Sequence, residues 1–278
     1  MTSYLAKNAT IWMGSPSDSQ LGSLPLSAAQ REIWIAEQQL DGANRVYTIA
    51  DYIEIKGPVD AARFELALRY VVAEADCLHA RFAEDREGPE QLAGRFADWP
   101  LPVVDVSAEP DPQAAAQAWM AAYISRPFAL AQGPLFRYAF IKLAPERFFW
   151  LQSYHHIVLD GFGASLLVRR VAEVYTALLA GPECGQSGFG SLRQLLDSDA
   201  TYRASAAFAQ DRDYWTGRFA DQTEPGRLGG RPGRAAARKA SSLAGGKCTP
   251  RRSICAAGRL GLPPSRPGSG WSAKRRIQ

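Results

Sequence analysis

Only three histidines occur in the 278 residues, His79, His155 and His156, and two of them are adjacent. Histidine is the side chain best matched to proton transfer near neutral pH. The pair follows an apolar, aromatic run, Phe148 to Tyr154, which reads as a strand. Neighbours on an extended chain point to opposite sides. One ring can therefore face a cleft while the other is held inside, and a loop end fixed by a packed sheet is a good mount for a base. Asp160 and Gly161 follow at a strand–loop–helix junction. Such an Asp has two uses, an internal ion pair that fixes the loop or the orientation of a histidine as in a catalytic triad. Gly161 permits a backbone conformation closed to other residues, or the close approach of a ligand. The plain alternative is a pair of satisfied structural histidines beside a capping Asp.

Other chemistries fit less well. His156 and Asp160 are four apart and would align for a metal if the segment were helical, but it follows a strand. His79 is the one histidine left, no Cys is near, and no metal site is expected. No G-x-S-x-G elbow and no glycine-rich phosphate loop is present. Cys77, Cys184, Cys248 and Cys255 show no C-x-x-C spacing, so neither a zinc ribbon nor a disulfide framework is indicated. Cys77 reads as a plain core residue.

The elements that must position the histidines can be read along the chain. Ser27 and Gln30 have capping-box spacing and open a helix carrying Ile33, Trp34 and Glu37. Val46 to Lys56 reads as a strand closed by Gly57-Pro58, with Ile49, Ile53 and Ile55 on one face. Asp60 caps a helix with the apolar stripe Phe64, Leu68, Val71, Val72 and Ala75. Leu78 to Phe82 reads as a short strand. Asp111-Pro112 opens a helix to about Ile124. Phe136 to Leu143 and Phe148 to Tyr154 read as a strand pair around a short connection. Gly161 to Leu179 reads as a helix with Leu167, Val171, Val174 and Leu178 on one stripe and Gly181 as its stop. A single helix is expected from Ser191 to Phe219. The order is mixed, so the fold class is α/β or α+β, with helices layered on a sheet.

At 46% apolar and 22% charged residues, the composition is that of a globular protein. The polar start, Met1 to Gln20, lacks a signal core, and no run approaches a membrane span, so a cytoplasmic protein is expected. The net charge of +4 hides two blocks. After Glu224 there is no Asp or Glu, while thirteen Lys and Arg run from Arg227 to Arg276, which leaves 19 basic and 28 acidic residues before them. Sixteen of the last 54 residues are Gly or Pro. Such a stretch cannot bury enough apolar surface to offset ordering entropy, and disorder is expected from Pro225 on. The expected organisation is a lead-in over 1–22, folded stretches over 23–180 and 181–224, and a basic tail over 225–278. The tail carries no interleaved aromatics apart from Trp271, so neither nucleic acid nor membrane is expected as its partner.

At His155 to Gly161 the sequence resembles the His-His-x-x-x-Asp-Gly signature of condensation domains of nonribosomal peptide synthetases and related acyltransferases. Leu26 to Trp34 is similar to their opening Ser-x-Ala-Gln-x-Arg-x-x-Trp pattern, with the Ser and Ala adjacent here. Asp76 to Phe82 resembles their Glu-x-Leu-Arg-x-x-Phe motif, with His79 where Arg is usual. Tyr154 to Gly163 and the helix ending at Trp215 are similar to the enterobactin-synthetase type, a siderophore system. The resemblance covers about residues 24–220. It implies a chloramphenicol-acetyltransferase-like lobe, a two-layer sandwich that is the N-terminal half of a two-lobed, V-shaped domain. It implies a tunnel between lobes, entered from opposite faces by substrates on the phosphopantetheine arms of carrier proteins. It implies His156 as the base or positioning group for the acceptor amine. His155 and Asp160 then become structural, with Asp160 in an ion pair, and Gly161 lines the tunnel. No bound cofactor is implied, and adenylation modules and carrier proteins are the implied partners.

Amide formation between carrier-bound substrates is thus the expected reaction. An acyltransferase of the same fold acting on a free acceptor, with ester or amide as product, would use the same histidine. A third expectation follows from the missing second lobe: a truncated remnant, its tail read out of frame, that at most binds a carrier protein.

Overall fold

The computed structural model describes residues 22–39, 46–86, 88–96, 98–181, 184–220 and 270–277. In chain order the elements are β1 (Ser23–Pro25), α1 (Ala28–Gln39), β2 (Thr48–Lys56), α2 (Ala61–Glu74), a 3-10 turn (Asp76–His79), β3 (Ala80–Glu84), β4 (Pro89–Ala93) and β5 (Val103–Asp105). There follow α3 (Pro112–Ile124), β6 (Phe136–Ala144), β7 (Arg147–His155), α4 (Gly161–Ala180), α5 (Leu192–Arg203), α6 (Ala206–Arg218) and β8 (Gly270–Ile277).

The large sheet has the order β5-β6-β7-β2-β8, and β7 is its middle strand. β7 pairs antiparallel with β6 on one side and with β2 on the other, from Thr48↔His155 to Lys56↔Arg147. Burial on both faces explains why Arg147 to His155 is so dense in aromatics: eight of its nine residues are buried. One face carries Trp150, Phe140, Phe136 and Tyr154 and packs on α2 and α4 through Phe64, Leu68, Val71, Leu167, Val171 and Val174. The other face carries Phe149, Leu151 and Ile141 and packs on α3 through Ala116, Met120 and Tyr123. A smaller sheet, β1-β4-β3, lies apart from it in pairing.

Caps bear out the helix starts. Asp60 accepts from the Arg63 amide and Asp111 from the Ala114 amide. Ser27 and Gln30 make both bonds of the capping box. Gly181 ends α4 at φ 84°, the left-handed conformation that glycine takes without strain.

Four expectations need correction. Leu78 to Phe82 is not one strand: Asp76–His79 is a 3-10 turn and the strand starts at Ala80. The long helix from Ser191 breaks at Ala204–Ser205, because Ser205 caps a second helix through the Phe208 amide. The boundary at 180 also moves. α5 is tied to the first unit, since the Leu192 amide donates to Asp76, Asp199 accepts from the Ala28 amide, and Leu192 and Leu196 pack on Leu24. The chain divides between Ala204 and Ser205, and α6 belongs to a second unit. Lastly, the stretch expected to be disordered contains β8, antiparallel to β2 over Gly270–Ile277. An edge strand needs backbone donors and acceptors rather than an apolar alternation, so its sequence gave no sign of it. Residues 225–269, Cys248 and Cys255 lie outside the described residues. Cys77 is half-buried against the main core, as expected, and burial pushes its thiol up to about 11.

Candidate active site

The two histidines part as neighbours on a strand must. His155 is the last residue of β7 and is 4% exposed. Its ring sits between Tyr47 and Phe128, with centroids at 6.4 and 6.2 Å. His156 leaves the strand and is only half-buried. Its backbone N–H donates to the Tyr47 carbonyl at 2.7 Å. Its Nδ1 is buried without a hydrogen-bond partner among the described residues.

His155 is fully engaged. The Ile157 amide donates to Nδ1 at 3.2 Å, so Nδ1 carries no proton. The proton is then on Nε2, 3.0 Å from Glu37 Oε1. Burial pushes the His155 ring below its ordinary pKa, against the pull of Glu37 in the other direction. A neutral, buried, doubly bonded ring is structural, and the free ring of the pair is His156.

The turn is held by α1. Gln30 Nε2 donates to the Ile157 carbonyl at 3.3 Å, and Glu37 sits two helical turns further along, on the same face. Trp34 is buried in the main core between them. Sequence reading placed Glu37 on the helix without a role, because nothing local shows which far residue a helix face will meet.

Asp160 caps the helix that follows the loop. It is exposed, and its Oδ1 accepts from the Gly163 amide at 2.7 Å as the N-cap of α4. No cation pairs with it among the described residues, and the contact present is the cap that the sequence also allowed. Gly161 is the first residue of α4 and is not one of the positive-φ glycines, so its value is not an unusual conformation. The glycine with a steric reason is Gly163, missed by the sequence reading: a Cβ there would meet Leu159 Cδ1 at 2.6 Å. His79 is away from this loop. Its Nδ1 accepts from the Phe96 amide and its Nε2–H donates to the Val72 carbonyl, so it staples α2 to the segment after β4. Among the described residues no three His, Cys, Asp or Glu side chains gather as a metal site, and no helix is long and apolar enough to cross a membrane.

The chain is similar to several known proteins. An isonitrile lipopeptide synthase of Streptomyces coeruleorubidus is 50% identical over 199 residues, covering 71% of this chain and 14% of that protein. A dimodular nonribosomal peptide synthase of Bacillus subtilis (strain 168) is 49% identical over 199 residues, covering 72% and 8%. The crystal structure of a mutant starter condensation domain of rhizomide synthetase, in complex with C8-CoA, is similar at a TM-score of 0.72 and 48% identity, covering 75% of this chain and 48% of that one. The chain thus spans about half of that solved chain and a small fraction of the curated relatives. The family model of the condensation domain matches residues 20–244, past the last acidic residue at Glu224. On its fold, its histidine loop and these matches, the chain belongs to the condensation domain family.

Proposed function

We propose that this chain supplies the histidine-bearing wall of an acyltransferase site that joins a carrier-bound thioester donor to an amine acceptor. The observation that carries the proposal is the division of labour in the pair. His155 is buried and spent on Glu37 and Ile157, while the half-buried His156 ring is engaged by no hydrogen bond among the described residues. A half-buried histidine at a rigid strand end suits proton transfer from an amine. Its neutral form removes or steers the ammonium proton, and the nitrogen lone pair then attacks the thioester carbonyl. Collapse of the adduct breaks the carbon–sulfur bond, the departing sulfur of the phosphopantetheine arm takes up the proton that the attacking nitrogen gives up, and the amide is left. The reaction uses no metal or nucleotide of this chain. Carrier proteins and adenylation modules of a cytoplasmic synthetase are its partners.

A second wall fits the surface. Phe162 and Leu166, one turn apart at the motif end of α4, are 73% and 38% exposed. The family resemblance gives the site a second lobe, and an apolar surface of this kind is what such a lobe covers. With one wall alone the acceptor would meet His156 in a wet groove, where hydrogen bonds and electrostatic help are weakened.

For the donor, relatives favour a fatty acyl group: one is a lipopeptide synthase, and one starter domain was solved with C8-CoA. The test is to supply carrier-loaded octanoyl, aryl and aminoacyl donors with an amine or an alcohol acceptor and to weigh the products. Octanoyl amide as the main product supports the proposal. Ester as the main product would move the chain to acyl transfer onto free alcohols.

A further inference from the structure

We propose that Glu37 is a positioning residue for the histidine turn: its carboxylate on α1 fixes the ring of His155, and that ring sets the backbone that presents His156. The proposal rests on the reading of His156 as the reacting side chain.

The geometry runs through one peptide. His155 Nε2 meets Glu37 Oε1 at 3.0 Å, and the opposite ring nitrogen receives the Ile157 amide at 3.2 Å. Ile157 directly follows His156, so the His155 ring bridges across the residue that matters. The Val158 amide donates back to the His155 carbonyl at 3.1 Å and closes the same turn. The His156 amide is meanwhile held by Tyr47. Gln30, on the same face of α1, takes the Ile157 carbonyl. One helix therefore holds Ile157 at both ends, its carbonyl directly and its amide through His155.

The carboxylate decides which nitrogen of His155 is protonated. The side chains of His155 and Glu37 are only 5% and 17% exposed, so water competes weakly for the contact. With the carboxylate in place, the proton sits on Nε2 and Nδ1 is free to accept. Without it, a buried N–H has no acceptor, and the other tautomer, which cannot receive the Ile157 amide, becomes accessible. The turn then loses its internal brace, and His156 loses its fixed placement.

The experiment labels the histidines of the full chain with 15N and reads the ring nitrogens by NMR. With three histidines in the sequence the spectrum is small. The parent is expected to show His155 as one neutral tautomer, protonated on Nε2. Glu37→Gln keeps an acceptor oxygen and should keep that tautomer, but loss of the negative charge should lower the pH at which His155 titrates. Glu37→Ala should give mixed tautomers. In the condensation assay Glu37→Ala should lower kcat roughly 10-fold to 100-fold, since small misplacements cost that much. KM for the donor should hold, and Glu37→Gln should restore most of the rate. An unchanged His155 tautomer in Glu37→Ala, or an unchanged His155 titration in Glu37→Gln should the alanine variant not fold, overturns the proposal. Neither readout depends on turnover. Failure of the His156 reading shows separately, as full activity of His156→Ala.

Discussion

Gln30 Nε2 donates to the Ile157 carbonyl at 3.3 Å, across 127 residues of sequence, while Gln30 Oε1 accepts from the Ser27 amide and from Gln91 Nε2. One side chain thus belongs at once to a helix cap, to the smaller sheet and to the histidine turn. Gln91 is fully buried. Gln30→Leu would leave the Ile157 carbonyl and Gln91 short of partners, and a buried polar group left unpaired costs about 1–3 kcal/mol. Urea unfolding should show a loss of that size. Gln30→Glu keeps the acceptor oxygen but not the donor to Ile157, and should lie between parent and Gln30→Leu.

Asp160→Ala should be mild. The carboxylate is an exposed N-cap, and removing such a cap costs about 0.5–2 kcal/mol, well short of a broken buried ion pair. Asp160→Ser, which can cap, should recover most of the loss in the same melt. A drop above about 3 kcal/mol would show that Asp160 meets a cation after all.

Much of the fold could be read from the sequence because it rests on local rules. Caps at Asp60 and Asp111, the stripe from Phe64 to Val72 and the aromatic strand pair all announce themselves within a dozen residues. The loop His155 to Gly161 was visible for the same reason. What stayed hidden is long-range. Nothing near Glu37 shows that it will meet His155, and nothing near Asp199 shows that it will meet the Ala28 amide. The sequence left the role of Asp160 open between cap and ion pair, because both use the same residue type. β8 was missed because edge pairing is a backbone matter.

Acid should destabilise the protein through its buried histidines. His79 and His155 are both pushed below their ordinary pKa of 6.5, first by burial. A base with a depressed folded pKa binds its proton more readily when unfolded. Stability is therefore full above about pH 6.5, the unfolded value, and falls as pH drops from there toward the depressed folded values. Urea midpoints measured from pH 8 to pH 5 should show this decline. His79→Gln should flatten it in part, whatever its effect at pH 8. A midpoint that stays level down to pH 5 in the parent would contradict the neutral, buried state of both rings.

Phe162 and Leu166 should make the isolated chain self-associate. Both are apolar and exposed at the motif end of α4. Sedimentation of the parent should show a concentration-dependent dimer or larger species, and Phe162→Glu should shift it toward monomer. A parent that stays monomeric at high concentration would show that this surface needs no cover.

The central claim is that the two adjacent histidines do different work, His155 holding the turn and His156 meeting the substrate. The most direct measurement pairs His155→Ala with His156→Ala, each supplied with a family second lobe, a loaded donor carrier and an acceptor amine, with product followed by mass spectrometry and folding by thermal melt. His155→Ala should lower the melting temperature, since it empties a buried site and frees Glu37 and the Ile157 amide. His156→Ala should melt like the parent and lose amide formation by about 10² to 10⁴, the range for a lost general acid–base group. Parent-level turnover by a folded His156→Ala chain would contradict the account.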